Sequence, residues 1–319
     1  SQVRELRIFL KMLVIGREVD DMISPKDNSY RHAYLVMCHN NFTHLCKLLL
    51  ELDDSRNDIY IHVDKKVLDV PYDKIRNSIG KASLYFVSRT SVAWGGYSQI
   101  RAELTLLKEA IKTEHYYYHL ISGADYPLKS QKYIHAYFKT YSGKEFIRYD
   151  CDSKRKAEFI DRVRYYYCFQ ELIGRNSGKI PALAYRVQDK LLFLQRRLKV
   201  DRTRHLKISI YKGTSWFSIT HGMAVFLVEN EKLISQLCRY GICADEIFVQ
   251  TVAMRSPHKE NIVDDSLRYI DWKRGNPYTF TLDDFETLKN TDKLFARKFD
   301  EKISEGLVDK LHEYISGQR

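Results

Sequence analysis

The first 120 residues alternate short β-rich runs with helical segments, and that order leaves few folds open. Residues 33–37 form an apolar run suited to a buried strand, and residues 42–52 place Leu45, Leu48, Leu49 and Leu52 at helical spacing. Residues 59–63 and 84–87 are further β-rich runs. Residues 100–112 read as an amphipathic helix with Leu104, Leu107 and Ile111 on one face, and residues 116–121 as a fourth strand. Strands joined through helices imply parallel neighbours, so the expected fold class is α/β with a mostly parallel, doubly wound sheet. Such a sheet binds ligands beyond the carboxyl ends of its strands. His62, Asp64 and Asp125 all fall at expected strand ends.

Residues 150–210 change character. They are rich in Lys, Arg and Tyr, with Arg162, Arg164, Tyr165, Tyr166 and Tyr167 close together, and they run past Pro181 into a basic helical stretch ending near Lys199. This region reads as an insertion covering the sheet. The expected division is an N-terminal extension over 1–30, one domain over 31–303 that contains the insertion, and a C-terminal helix over 304–319. The formal charge of +11 favours anionic partners: nucleotide phosphates, nucleic acid or an acidic membrane surface. The six cysteines (38, 46, 151, 168, 238 and 243) show no CxxC or Cys/His zinc spacing, so free thiols in a reducing compartment are expected. Nowhere does an apolar run approach the ~20 residues of a membrane span. Residues 7–15 are too short for one and carry Lys11.

Chemistry concentrates in three segments. Asp245 and Glu246 stand side by side at the head of an apolar helix, where acids ordinarily satisfy free N–H groups and complement the helix dipole. Upstream lies Gly213-Thr-Ser-Trp-Phe217, a Gly-led strand centred on Trp216. Downstream lies Leu294-Phe-Ala-Arg-Lys-Phe-Asp300, whose apolar residues anchor the basic pair Arg297 and Lys298. A carboxylate between a strand end and a cationic loop suits a reaction that removes a proton and releases an anion. Asp64 reads equally as a turn cap or as an acceptor for a base or ribose hydroxyl. Trp94 beside Gly95 and Gly96 allows close backbone approach to a ligand, or a tight turn into the next helix. Asp125 before Pro127 reads first as a turn residue and second as a ligand contact. Asp150-Cys151-Asp152 is the only Asp-x-Asp; a solvated turn is favoured over a metal site.

Taken together, these segments resemble the core-2/I-branching β-1,6-N-acetylglucosaminyltransferase and peptide O-xylosyltransferase family. The matching stretches are Ile61-His-Val-Asp-Lys65, Ser91-Val-Ala-Trp-Gly-Gly96, Leu120-Ile-Ser-Gly-Ala-Asp-Tyr-Pro-Leu128, Gly213-Thr-Ser-Trp-Phe217, Ala244-Asp-Glu246 and Leu294-Phe-Ala-Arg-Lys-Phe-Asp300. They occur in the family's order, whereas residues 150–210 match poorly. The resemblance implies a GT-A-like fold and inverting transfer of GlcNAc or xylose from a UDP-sugar to a glycan hydroxyl. It implies Glu246 as catalytic base and Asp64, Trp94, Asp125, Arg268 and Lys298 as nucleotide-sugar contacts, with Arg274 competing with Arg268 for the diphosphate. Trp216 and Trp272 are the implied acceptor contacts, and Asp245 is left as the helix cap. No metal ligand and no cofactor are expected, because the branching members neutralise the leaving diphosphate with basic side chains. The Golgi-anchoring helix and disulfides of the family's mammalian members are not expected here. The expectation is therefore a bacterial, cytoplasmic enzyme, peripheral at the inner face of the cell membrane, that acts on a glycan or lipid-linked glycan in surface-polysaccharide synthesis. The rivals are a metal-dependent transferase of the same fold with another donor, and a basic nucleic-acid-binding protein. No recognisable nucleic-acid module supports the last.

Overall fold

In the computed structural model, which describes residues 30–150, 156–275 and 277–317, the strand–helix alternation closes into a seven-stranded sheet. Strands β1 (His32–Cys38), β2 (Asn57–Val63), β3 (Ser83–Phe86) and β4 (Tyr117–Ser122) run parallel in the order β3-β2-β1-β4. Helices α1 (Phe42–Leu52), α2 (Tyr72–Arg76) and α3 (Tyr97–Ala110) make the connections. The expected α/β class and mostly parallel sheet are therefore present.

Strand alternation sends successive side chains to opposite faces, and here both faces are buried. Tyr34, Val36, Ile59, Ile61, Tyr117 and Ile121 enter one core with the leucines of α1. Ala33, Leu35, Tyr60, Tyr118 and Leu120 enter a second core with Ile100, Leu104 and Leu107 of α3. The helix near the C-terminus, residues 305–316, buries Leu307, Val308, Leu311 and Ile315 in the first core, so it is continuous with the main body.

Past β4 the order reverses. Two more elements precede the reversal, β5 (Asp125–Pro127) and helix α4 (Gln131–Thr140), which Ser130 caps by accepting the Tyr133 N–H. Strand β6 (Glu145–Tyr149) and strand β7 (Gly213–Thr220) are mutually antiparallel, β7 is antiparallel to β4, and β8 (Ile262–Val263) pairs parallel to β6. An antiparallel neighbour needs no crossover helix on the sheet face. The residues between β6 and β7 therefore leave the sheet at its carboxyl edge, where the parallel strands β1, β2 and β4 end, and build α5 (Lys156–Arg164), α6 (Gln170–Ile173) and α7 (Lys179–Arg197) there. Helices α8 (His221–Glu229), α9 (Glu231–Cys238) and α10 (Asp245–Ala253) follow and pack into the second core. A small second sheet, with β9 (Arg268–Ile270) and β10 (Phe295–Arg297), has the order β5-β10-β9.

Candidate active site

The carboxyl edge gathers most of the residues singled out by sequence. Gly213 opens β7 against a bulge in β6, and a Cβ there would fall 1.8 Å from the Arg148 carbonyl oxygen, so no larger residue fits. In β7, Ser215 is presented toward α10. Asp245, the first residue of α10, is buried. Its Oδ2 accepts hydrogen bonds from Ser215 Oγ at 2.7 Å and Gln99 Nε2 at 2.7 Å, joining α10 to β7 and to α3. The N-cap is Ala244, without a side-chain cap bond, so the expectation that Asp245 caps the helix is corrected: its bonds run sideways. Burial raises the Asp245 carboxyl above the ordinary range, opposed by the Ser215 hydrogen bond.

Glu246 follows and remains about a third exposed, with side-chain relative exposure of 31%. Arg162 Nη1 of α5 donates to its Oε2 at 2.7 Å, and Lys212 Nζ lies 3.6 Å from the same oxygen. Lys212 also lies 3.3 Å from Asp150 Oδ2. Glu246 is thus an accessible carboxylate held between two cations, whereas its neighbour Asp245 is sealed in the protein. Neither Arg162 nor Lys212 belongs to a stretch that carries the resemblance. The signal for Lys212 was its place immediately before Gly213.

A second cluster forms where β4 ends. Asp125 is fully buried; its carboxylate accepts from Ser122 Oγ at 2.7 Å and pairs with Arg297 Nη1 at 2.8 Å. Arg297 in turn lies 4.3 Å over the Trp216 ring and also donates to Ser122 Oγ. The turn reading of Asp125 describes its position: it fixes Arg297, and its carboxylate is closed to a ligand. Trp216 likewise carries Arg297 on its face. Lys298, next in the chain, is partly buried and forms no ion pair with any described carboxylate within 4.0 Å.

Asp64 ends β2. Its Oδ1 accepts the backbone N–H of Lys66 at 2.9 Å and of Val92 at 3.4 Å, which is the turn role, while tying β2 to the loop that carries Trp94. Trp94 is 46% exposed, with Arg175 4.6 Å over its ring. Gly95 takes a left-handed φ of 68° and accepts the Cys243 N–H at 2.8 Å, which brings this loop against the approach to α10.

Arg268 is not at this edge. Its guanidinium is buried where β4 and β7 stop pairing, donating to Leu120 O at 3.0 Å, Phe217 O at 2.8 Å and Ser218 Oγ at 2.7 Å. Desolvation pushes it down to about 10, still protonated at neutral pH. This corrects the preference for Arg268 as a diphosphate contact: it satisfies carbonyls that the diverging strands leave unpaired. Arg274 is half-exposed but bound to Asp271 and Asp284. Trp272 lies on the surface at 56% exposure. Cys151 and Asp152 of the Asp-x-Asp lie outside the described residues. Among the described residues no three His, Cys, Asp or Glu side chains gather in a way that could hold an ion.

An open carboxylate between two cations, at the carboxyl edge of a doubly wound sheet, stands where α/β proteins of this class bind ligands. The family model "Branch: Core-2/I-Branching enzyme" matches residues 32–292, and the chain belongs to that family. Xylosyltransferase 2 of Rattus norvegicus is 24% identical over 325 residues, covering 90% of this chain and 34% of the relative. Xylosyltransferase 1 of Mus musculus is 21% identical over 323 residues, covering 91% and 31% respectively. The chain thus spans about a third of the length of the curated relatives it matches. The structure of mouse xyloside xylosyltransferase 1 in its apo form aligns at a TM-score of 0.37 and 10% identity, over 84% of this chain and 96% of that one.

Proposed function

We propose that the chain is an inverting glycosyltransferase that moves xylose or GlcNAc from a UDP-sugar to a hydroxyl of a glycan acceptor. The observation that carries this reading is Glu246: an accessible carboxylate clamped by Arg162 and Lys212 at the sheet's carboxyl edge. Glu246 takes the proton of the acceptor hydroxyl while its oxygen bonds to the anomeric carbon. The bond from that carbon to the diphosphate breaks, and the electron pair leaves with UDP. Arg162 and Lys212 orient the carboxylate. Lys298, without a carboxylate partner among the described residues, meets the diphosphate charge, and Arg297 supports the same edge from its pairing with Asp125. Asp64 and the loop bearing Trp94 take the uridine side, and Trp216 and Trp272 the acceptor side. No divalent ion enters this scheme.

Xylose is favoured among donors because the matched relatives are named xylosyltransferases. A lipid-linked glycan used in surface-polysaccharide synthesis is the acceptor class we assign. Mass spectrometry of a panel of UDP-sugars incubated with the protein tests the reading. The expected result is UDP release from UDP-xylose or UDP-GlcNAc, with inverted configuration in any transfer product. Inertness toward every UDP-sugar, or a retained anomeric configuration, contradicts it.

A further inference from the structure

Helix α7 presents a face that the fold does not use. Its inner side is fixed to the protein: Ala184, Gln188 and Leu192 are buried, and Gln188 Oε1 accepts the Phe169 N–H at 3.0 Å. Gln195 exchanges hydrogen bonds with both the N–H and the carbonyl of Tyr166. The neighbouring stripe faces solvent. Ile180, Leu183, Val187, Leu191, Leu194 and Leu198 recur every three or four residues and are all exposed, Ile180 at 68%, Leu183 at 63% and Leu198 at 67%. A contiguous apolar stripe over about five turns is more than a monomer ordinarily leaves in water.

At about 100° per residue, Lys179, Lys190 and Arg197 line the outer edge of that stripe, with Arg186 just beyond. The helix carries five cations, these four and Arg196, against one acid, Asp189. Lys179, Arg186 and Lys190 are exposed, and none forms an ion pair among the described residues. We propose that α7 lies flat on an anionic membrane surface, its stripe among the acyl chains and its basic edge on lipid phosphates. Charge complementarity selects this occupant. A second copy packing antiparallel would set Lys179 against Arg197 and Arg186 against Lys190, on a chain already at +11. An apolar stripe bordered by cations is the form of helix that binds in the interfacial plane, and the charged residues of α7 prevent it from spanning. Among the described residues no helix is long and apolar enough to cross a membrane. Because α7 springs from the sheet's carboxyl edge, docking holds that edge near the lipid surface.

The inference stands apart from the transferase reading, since binding is measured without donor or acceptor. The full chain is sedimented with phosphatidylcholine vesicles, and with vesicles in which about a third of the lipid is phosphatidylglycerol. The expected result is partition onto the anionic vesicles alone, weakened by added salt. It should fall at least ~10-fold in Ile180→Ser/Leu183→Ser/Leu194→Ser and in Lys179→Glu/Lys190→Glu/Arg197→Glu. All six side chains are exposed, and unchanged circular dichroism confirms the fold of both variants. Equal partition onto neutral vesicles, no partition onto either, or full retention by either variant overturns the proposal. So does a wild-type dimer in sedimentation velocity that the apolar variant abolishes.

Discussion

At the scale of single residues, adjacent acids in one helical turn have divided the work by burial. Asp245 ties α10 to Ser215 and Gln99, and Glu246 projects one position further into contact with Arg162 and Lys212. Helix position alone could not divide the pair, because both places suit an acid on dipole grounds; the resemblance gave the chemistry to Glu246 and left Asp245 as the cap. The basic pair divides likewise: Arg297 is bound by Asp125 and Trp216, and Lys298 is free of ion pairs among the described residues. Lys298→Ala should therefore weaken UDP affinity by roughly 10-fold or more, since a charge-assisted hydrogen bond contributes about 1.5–3 kcal/mol. Isothermal titration with UDP gives the answer directly, and unchanged affinity would remove Lys298 from the site. Arg268 shows what residue spacing alone misjudges. A cation near the expected diphosphate position proved to be buried among backbone carbonyls, and only the divergence of β4 from β7 explains why they needed it.

At the scale of elements, the packing of α10 on α3 stores a pH dependence. Glu103 of α3 is fully buried, one of its oxygens lacks a hydrogen-bond partner among the described residues, and desolvation with the nearby Asp245 raises its carboxyl well above the usual range. A raised acid contributes stability that is present below its unfolded pKa of about 4.5 and is lost as pH rises through the folded value. Glu103→Gln cannot ionise, so its melting temperature relative to wild type should increase as pH goes from about 5 to 9. A difference that stays constant or shrinks with pH would show that Glu103 does not titrate in this way. Periodicity located α1 at residues 42–52 and placed β1, β2 and β4 within two residues of their observed bounds. These elements were legible because their apolar periods match two buried faces. The antiparallel turn of β7 was not, because its partners β4 and β6 are set by a register that no local pattern encodes. The second sheet was hidden for the same reason: β9 and β10 are three residues each and pair across long separations.

At the scale of the whole molecule, the fold converts segments scattered from Asp64 to Lys298 into one edge. The resemblance identified those segments, whereas Arg162, from the poorly matching region, and Lys212, just before Gly213, lie outside them and needed the tertiary structure to be joined to Glu246. The cations assembled there are proposed to serve in place of a metal ion. Activity should accordingly survive excess EDTA; loss that Mg²⁺ or Mn²⁺ restores would contradict this and return attention to Asp150 and Asp152. The assignment of Glu246 as base is the claim on which the functional account rests, and a single substitution separates it from binding. Glu246→Gln keeps the size of the side chain and removes its capacity to accept the acceptor's proton. Turnover of the preferred UDP-sugar onto acceptor should fall by about 10²–10⁴-fold, the usual contribution of a general base, while UDP binds nearly as tightly as to the wild type. Wild-type-like transfer by this variant would contradict the account.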